Sequence, residues 1–259
     1  MTIFLILSLA VLALVYYSAI FTTTIYLHRA LAHRAITINS PTLDIIARFI
    51  IWLTTGQSPR TWVAVHRKHH VYTDKEGDPH SPIVLGFWNI QLWNVYYYRK
   101  CAREPGLVKT FAPDIEIGYL DRMSPFVSLF LGLTLLFIAE SIIAFFSGLN
   151  NPLMYGLIFG VGIAVAHFII YVFLAAPMVN GLGHVRGQKN YKNFPGYNNR
   201  FLALVLTAGE NLHNNHHAHP TSPKLSVRTR EIDPAWPIIY LFKYFGLLTL
   251  KHKPVTLLT

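Results

Sequence analysis

His66-Arg67-Lys68-His69-His70 places three imidazoles at i, i+3 and i+4, and the same spacing returns as His213-Asn214-Asn215-His216-His217. On a helix those positions share one face, so each pentad turns three imidazoles toward one point. Neutral imidazole is the commonest side-chain ligand of transition metals. One copy would be a weak signal, because solvated basic helices also carry incidental histidines. Two copies point to one site assembled from two halves.

Outward from the pentads the chain is greasy. It is 53% hydrophobic and 13% charged over 259 residues, with a positive mean hydropathy, which is too apolar for an ordinary soluble domain. Residues 1–27 carry no charge, residues 125–147 only Glu140, and residues 152–177 none. Each run is long enough to cross a hydrocarbon layer of ~30 Å. The N-terminal run lacks the basic start of a secretory signal, Met1-Thr2-Ile3 standing there, and reads as a retained span. The expected fold class is an all-α integral membrane protein: one domain over 1–259, about three transmembrane spans, and interfacial helices.

Charge sets the topology. All 22 Lys and Arg fall in two blocks, twelve within 28–124 and ten within 178–259. By the positive-inside rule both blocks face the cytoplasm, which places the uncharged N-terminus outside, with an outer turn at Gly148, Asn150, Asn151 and Pro152. Eleven of the twelve acidic residues lie in the same blocks. The net positive face favours anionic headgroups, phosphorylated substrates and acidic protein partners. No nucleic-acid motif accompanies it, so no nucleic acid is expected as a partner. Cys101 is the one cysteine, which excludes an intrachain disulfide and iron–sulfur ligation.

Taken in order, the first span leads into His28 and His33. They stand five residues apart, about 140° around a regular helix, so they approach one cluster from different sides unless the helix unwinds between them. Ser40-Pro41 and Ser58-Pro59 read as helix starts, each a capping serine followed by proline. The second of these helices carries Trp62 and the first pentad, and ends before Gly77-Asp78-Pro79. Asp78 stands close enough to orient a ligating imidazole through its other N–H. Asp74 and Glu76 read equally well as a solvated turn. Phe87 to Tyr98, rich in Trp and Tyr, suits a headgroup boundary. Glu140 is expected to reach the outer interface or a polar neighbour, and His167 to be a packing residue. Asn180 and His184, four apart, share a face if their helix continues inward. One helix is expected from about Asn199 to His217, stopped by Pro220, and an amphipathic interfacial helix within 236–250.

The candidate ligands are His28, His33, His66, His69, His70, His184, His213, His216 and His217, all expected just inside the membrane. They are too many for one zinc and suit two metals with four or five ligands each. No HExxH motif is present, and the Glu210/His213 pair is not duplicated as carboxylate di-iron bundles require. Glu210 joins Asp78 as a carboxylate available behind the imidazoles. A histidine-rich open site beside an apolar chamber points to iron and dioxygen chemistry.

The ordered set HRALAH (28–33), HRKHH (66–70) followed by DPH (78–80), NGLGH (180–184) and GENLHNNHH (209–217) resembles the membrane-bound fatty acid desaturases of the acyl-CoA desaturase class, closest to bacterial Δ9-type members. The likeness runs over residues 20–250. It implies a helical membrane protein whose cytoplasmic cap holds two non-haem Fe ions in a histidine-lined di-metal centre, using O2 and two electrons to desaturate a C16 to C18 acyl chain. By that likeness the nine histidines are the iron ligands, Asn180 acts through a water, and Trp62 lies in the acyl-binding region. The family's eukaryotic members have four spans, one more than expected here. Tyr16 stands about 18 Å along a helix before His28, with Ile20 on nearly the same face, where the two would close the methyl end of an acyl tunnel. The carrier is left open among CoA, phospholipid and acyl-carrier protein. The expected electron donor is an acidic ferredoxin with its reductase, and the expected location a bacterial inner membrane. Related outcomes of the same chemistry are hydroxylation, acetylenic bond formation and oxidative decarboxylation. A metal transporter would also be histidine-rich, though transporters bind near the bilayer midplane.

Overall fold

A computed structural model describes residues 1–199 and 201–257. Among these, three helices are long and apolar enough to cross a membrane: α1 (Thr2–Ala32), α5 (Pro125–Phe146) and α6 (Pro152–Val185). Between α1 and α5 lie α2 (Pro41–Thr55), α3 (Pro59–Tyr72) and α4 (Phe87–Ala102). After α6 come α7 (Phe201–Thr207), α8 (His213–Ala218) and α9 (Ala235–Tyr244). Two short strands, β1 (Ile36–Ile38) and β2 (Leu248–Leu250), pair antiparallel with Ile36 opposite Leu250, a feature the all-helical expectation did not include.

The apolar helices run further than hydropathy alone suggested. At 1.5 Å per residue the 31 residues of α1 span about 46 Å, well beyond a hydrocarbon layer of ~30 Å. Its last turns therefore carry His28, and the extension of α6 beyond Pro177 carries Asn180 and His184. The end of α1 is wound as π-helix over Thr23–Ala32, and α6 is so wound over Ile170–Ala175 before Pro177 and over Met178–Leu182 in the extension.

α5 and α6 form a tight hairpin about the expected turn, Gly148 taking φ 71°. Their contact depends on missing side chains. A Cβ on Gly156 would fall 1.9 Å from Ser141 Oγ and 2.8 Å from the Phe137 carbonyl oxygen. Glu140 is fully buried and accepts a hydrogen bond of 2.6 Å from Ser8 Oγ of α1, the polar neighbour of the two expected alternatives. His167 joins α6 to the end of α2 through a 2.8 Å bond to the Thr54 carbonyl.

Both serine-proline starts open helices. Ser40 Oγ accepts from Leu43 N at 3.2 Å, and α2 closes at Gly56 in the left-handed conformation. Ser58 precedes α3 without a side-chain cap bond. The single helix expected over Asn199 to His217 is instead α7 and α8 separated by a turn; Arg200 lies outside the described residues. Ala208 and Gly209 take φ 50° and 107°, which no right-handed helix allows. Thr207 Oγ1 accepts from Asn211 N at 3.0 Å within this turn. α9 and β2 pack on the π-wound end of α1 through Ile25, Ala30, Ala235, Ile239 and Leu248.

Candidate metal centre

The π-winding decides where the first two histidines point. His33 N–H bonds to the His28 carbonyl at 3.0 Å, five residues back, so residues five apart stack on one side of the helix instead of diverging. Of the two expected routes to a common cluster, the altered helix is the one adopted, and such segments recur at functional sites.

The nine histidines assemble into two clusters. His28, His33, His66, His70 and His216 form one; His69, His184, His213 and His217 form the other. Within each, the ligand atoms lie within 4.8 Å of one another. In the first, Nε2–Nε2 separations are 2.8 Å for His33 and His66, 2.9 Å for His70 and His216, and 3.2 Å for His28 and His216. In the second they are 2.8 Å for His184 and His213, 3.1 Å for His213 and His217, and 3.4 Å for His69 and His217.

Three carboxylates stand behind them. His28 Nδ1 bonds to Glu210 at 2.9 Å, His69 Nδ1 to both oxygens of Asp78 at 3.0 Å, and His184 Nδ1 to Asp74 at 2.9 Å. Each carboxylate accepts the Nδ1 proton and so leaves Nε2 as a bare lone pair. His216 Nε2 faces both His28 and His70, and His213 Nε2 both His184 and His217, so one proton satisfies neither set, whereas a cation among the lone pairs does. Donors about 2.1 Å from a first-row ion stand about 3.0–3.4 Å apart at 90–109°. The residues thus fit a pair of metal ions, one of five imidazoles and one of four.

Burial, reinforced by neighbouring imidazoles, drives the pKa values of His33, His66, His69, His213, His216 and His217 well below the ordinary histidine value, and those of His70 and His80 to about 3. They are neutral at pH 7, with ring nitrogens free to donate to a cation. Burial pushes Asp78 up to about 6 against the pull of its backbone hydrogen bonds. Glu210 is also buried, but His28 and Arg29 hold it below the ordinary glutamate value. Beside it Arg29 makes a buried fork with Asp233, both bonds 2.9 Å, and a third bond to the Pro223 carbonyl at 3.0 Å. Gly209 must be glycine for this arrangement, since a Cβ there would lie 2.7 Å from Asp233 Oδ1.

A largely apolar cavity of about 140 Å³ ends on the clusters. His28 and His66 of the first cluster and His69 and His213 of the second line it. Trp62, Ile20 and Asn180 are also on its wall. Trp62 stacks on His66 with centroids 4.9 Å apart, and Asn180 Nδ2 donates to Asn94 Oδ1 at 3.1 Å. Tyr16 stands one turn beyond Ile20 and packs against it, its hydroxyl bonded to the Leu206 carbonyl.

The fatty acid desaturase profile matches residues 4–242. The chain belongs to the fatty acid desaturase family. It is 32% identical to Delta-9 acyl-lipid desaturase 1 of Arabidopsis thaliana over 74% of this chain and 58% of that protein. It is 29% identical to the sn-1 stearoyl-lipid 9-desaturase of Anabaena variabilis over 74% and 64%, and 28% identical to an acyl-CoA 5-desaturase of Anemone leveillei over 74% and 55%. The chain thus spans less than two thirds of the length of these curated relatives.

Three contributors to this desaturase-family site were left unassigned by the sequence. Asp74, weighed equally as a solvated turn, holds His184 and accepts from Ser81 Oγ at 2.8 Å. His80 lies against His69, ring centroids 4.5 Å apart and planes tilted by 30°, and is buried; its place in the DPH tripeptide was the available signal. Thr24, on nearly the same helix face as Tyr16 and Ile20, donates its hydroxyl to Glu210 from inside the apolar span, a partner that no local pattern marks.

Proposed function

We propose that this chain is a membrane-embedded, oxygen-dependent fatty acyl desaturase, an oxidoreductase that converts two adjacent methylenes to a cis double bond. The observation that carries the reading is the apolar cavity ending on imidazoles of both clusters. In the balanced reaction –CH2–CH2–, O2, two electrons and two protons give –CH=CH– and two waters. Bound Fe ions would supply the activation of O2 that removes unactivated C–H hydrogens. The nine histidines would hold them, and Asn180 on the cavity wall would act on one of them through a water.

The chain's own groups do the rest. Asp74, Asp78 and Glu210 fix the Nδ1–H tautomers of His184, His69 and His28 and aim their Nε2 lone pairs inward. Trp62, stacked on His66, walls the cavity where it meets the first cluster and excludes water. Ile20, backed by Tyr16, closes the end remote from the histidines and favours a C16 to C18 chain with the double bond at Δ9. The acyl group arrives on phospholipid, CoA or acyl-carrier protein. Electrons come from an acidic carrier such as ferredoxin, drawn to the basic face. The membrane is a bacterial inner membrane with the site on its cytoplasmic side.

Expression with a reductase system, followed by gas chromatography of total acyl chains, tests this. New cis-Δ9 products are expected, abolished by His69→Ala. Metal uptake without any new double bond would overturn the enzyme reading, and a hydroxylated product would reassign the outcome. An unchanged chain-length profile in Tyr16→Ala and Ile20→Ala would remove the tunnel stop.

A further inference from the structure

The two residues between the histidines of the last pentad are more deeply bonded than the metal site alone requires. α8 is six residues long, too short to hold its own orientation, yet it supplies His216 to one cluster and His213 and His217 to the other. Any tilt of α8 therefore moves donors in both clusters at once.

Asn214 and Asn215 face away from the metal side and are buried. Asn214 Oδ1 accepts from the backbone N–H groups of Asn190 and Tyr191 at 2.9 and 2.8 Å, and its Nδ2 donates to the Tyr191 carbonyl at 3.0 Å. Asn215 Nδ2 donates to the Leu225 carbonyl at 3.0 Å and to Glu231 Oε2 at 2.9 Å, while its Oδ1 accepts from Asn190 Nδ2 and Asn198 Nδ2 at 2.8 and 2.9 Å. Asn198 Oδ1 in turn accepts the N–H groups of Asn214 and Asn215 at 3.0 and 3.3 Å, capping the first turn of the helix. Glu231 accepts from Val227 N and Arg228 N at 2.8 and 3.1 Å as well as from Asn215. The Asn215 amide, with two donor hydrogens and two lone pairs, is thus fully used.

We propose that the Asn198–Asn215–Glu231 network is a positioning clamp that sets the placement of α8, and with it the spacing of the two metal sites. These residues do not touch substrate; they act through His213, His216 and His217. The inference rests on the reading of the clusters as metal sites.

The test compares wild type, Asn215→Asp and Glu231→Gln as full chains purified from membranes, with Phe4→Ala as a control for lost stability alone. Phe4 is buried between Tyr155 and Phe159 near the start of α1, remote from α8. Asn215→Asp puts an acceptor where a donor faces both the Leu225 carbonyl and the Glu231 carboxylate; Glu231→Gln is the milder lesion. On the folded, monodisperse fraction, iron per chain and the metal–metal distance from X-ray absorption are read. Both clamp variants should retain at least two-fold less iron per folded chain or show an altered metal–metal distance, whereas Phe4→Ala should melt lower with wild-type iron and spectrum. Clamp variants that carry full iron with the wild-type spectrum would overturn the clamp and leave the desaturase reading intact. A wild-type chain that binds no metal would overturn that reading, and the clamp with it.

Discussion

Glu210→Gln isolates the charge behind one imidazole without changing its shape. The Glu210 carboxylate accepts the His28 Nδ1 proton at 2.9 Å and the Thr24 hydroxyl, with the Arg29 guanidinium 4.0 Å away. The amide oxygen of glutamine can keep the first two bonds but loses the charge. A hydrogen bond to a charged group contributes about 1.5–3 kcal/mol net and a neutral one about 0.5–1.5 kcal/mol. The difference is about 1–1.5 kcal/mol, and about 1.4 kcal/mol is tenfold in affinity. The variant should therefore release metal from the five-histidine cluster about five- to tenfold more readily, at the low end of what loss of such partners costs in metal sites. Metal retained against a graded chelator series, with double-bond formation measured in parallel, is the assay. Retention curves for Glu210→Gln and wild type that superimpose would refute the reasoning that the carboxylate tunes His28.

Other expectations follow from packing and charge. Arg29→Met strands the buried Asp233 carboxylate with only the Leu225 and Ala235 N–H groups and should cost about 3–5 kcal/mol, read as a lower melting temperature and poor folded yield; wild-type melting would contradict it. Gly156→Val drives methyl groups into Ser141 and the Phe137 carbonyl and should cost about 1–3 kcal/mol, seen as a lowered melting temperature in detergent. Asp114, paired with Arg67 and Arg34 at 2.5 and 2.6 Å, is held below the ordinary carboxylate value chiefly by the Arg67 hydrogen bond. A depressed folded-state value means its contribution is complete above about pH 4 and fades as pH falls further. Asp114→Asn should thus melt lower at pH 7, by about 1 kcal/mol or less after solvent screening, and the gap should narrow in acid; a gap that widens in acid would reverse the sign.

Much of this was legible in the chain because its signals are either long or repeated. Three long apolar runs with one charge among them, a one-sided distribution of Lys and Arg, and imidazoles at helical spacing each report one physical requirement. His66, His69 and His70 could be assigned to a helix because Ser58-Pro59 starts it and Pro79 limits it. They nevertheless divide between the two clusters, His69 going to one and its neighbours to the other, a split that a shared helical face does not foretell. The turn at Ala208 and Gly209 was invisible because alanine is an ordinary helix former; the bond from Asn211 to the Asn199 carbonyl and the close approach of Asp233 to Gly209 fit that backbone into place, not local propensity. Asp74 looked like a solvated turn because nothing near it in sequence reveals that His184 arrives from α6. The β1–β2 pair joins segments from opposite ends of the chain, each too short to stand out as a strand.

The wide winding of α1 makes residue count a chemical variable. Removing one residue between His28 and His33, Ala30 for example, would let that stretch relax toward ordinary α-helix and leave every histidine in the polypeptide. It would also set His28 and His33 four apart, about 40° around a regular helix and still on one face, whereas one residue inserted there sets them six apart, about 120° around, with His33 turned away from His66, its present neighbour. An insertion that spares all nine ligands would thus dismantle one site as surely as replacing a ligand, so this stretch should tolerate substitution of its apolar residues far better than a gain in its length.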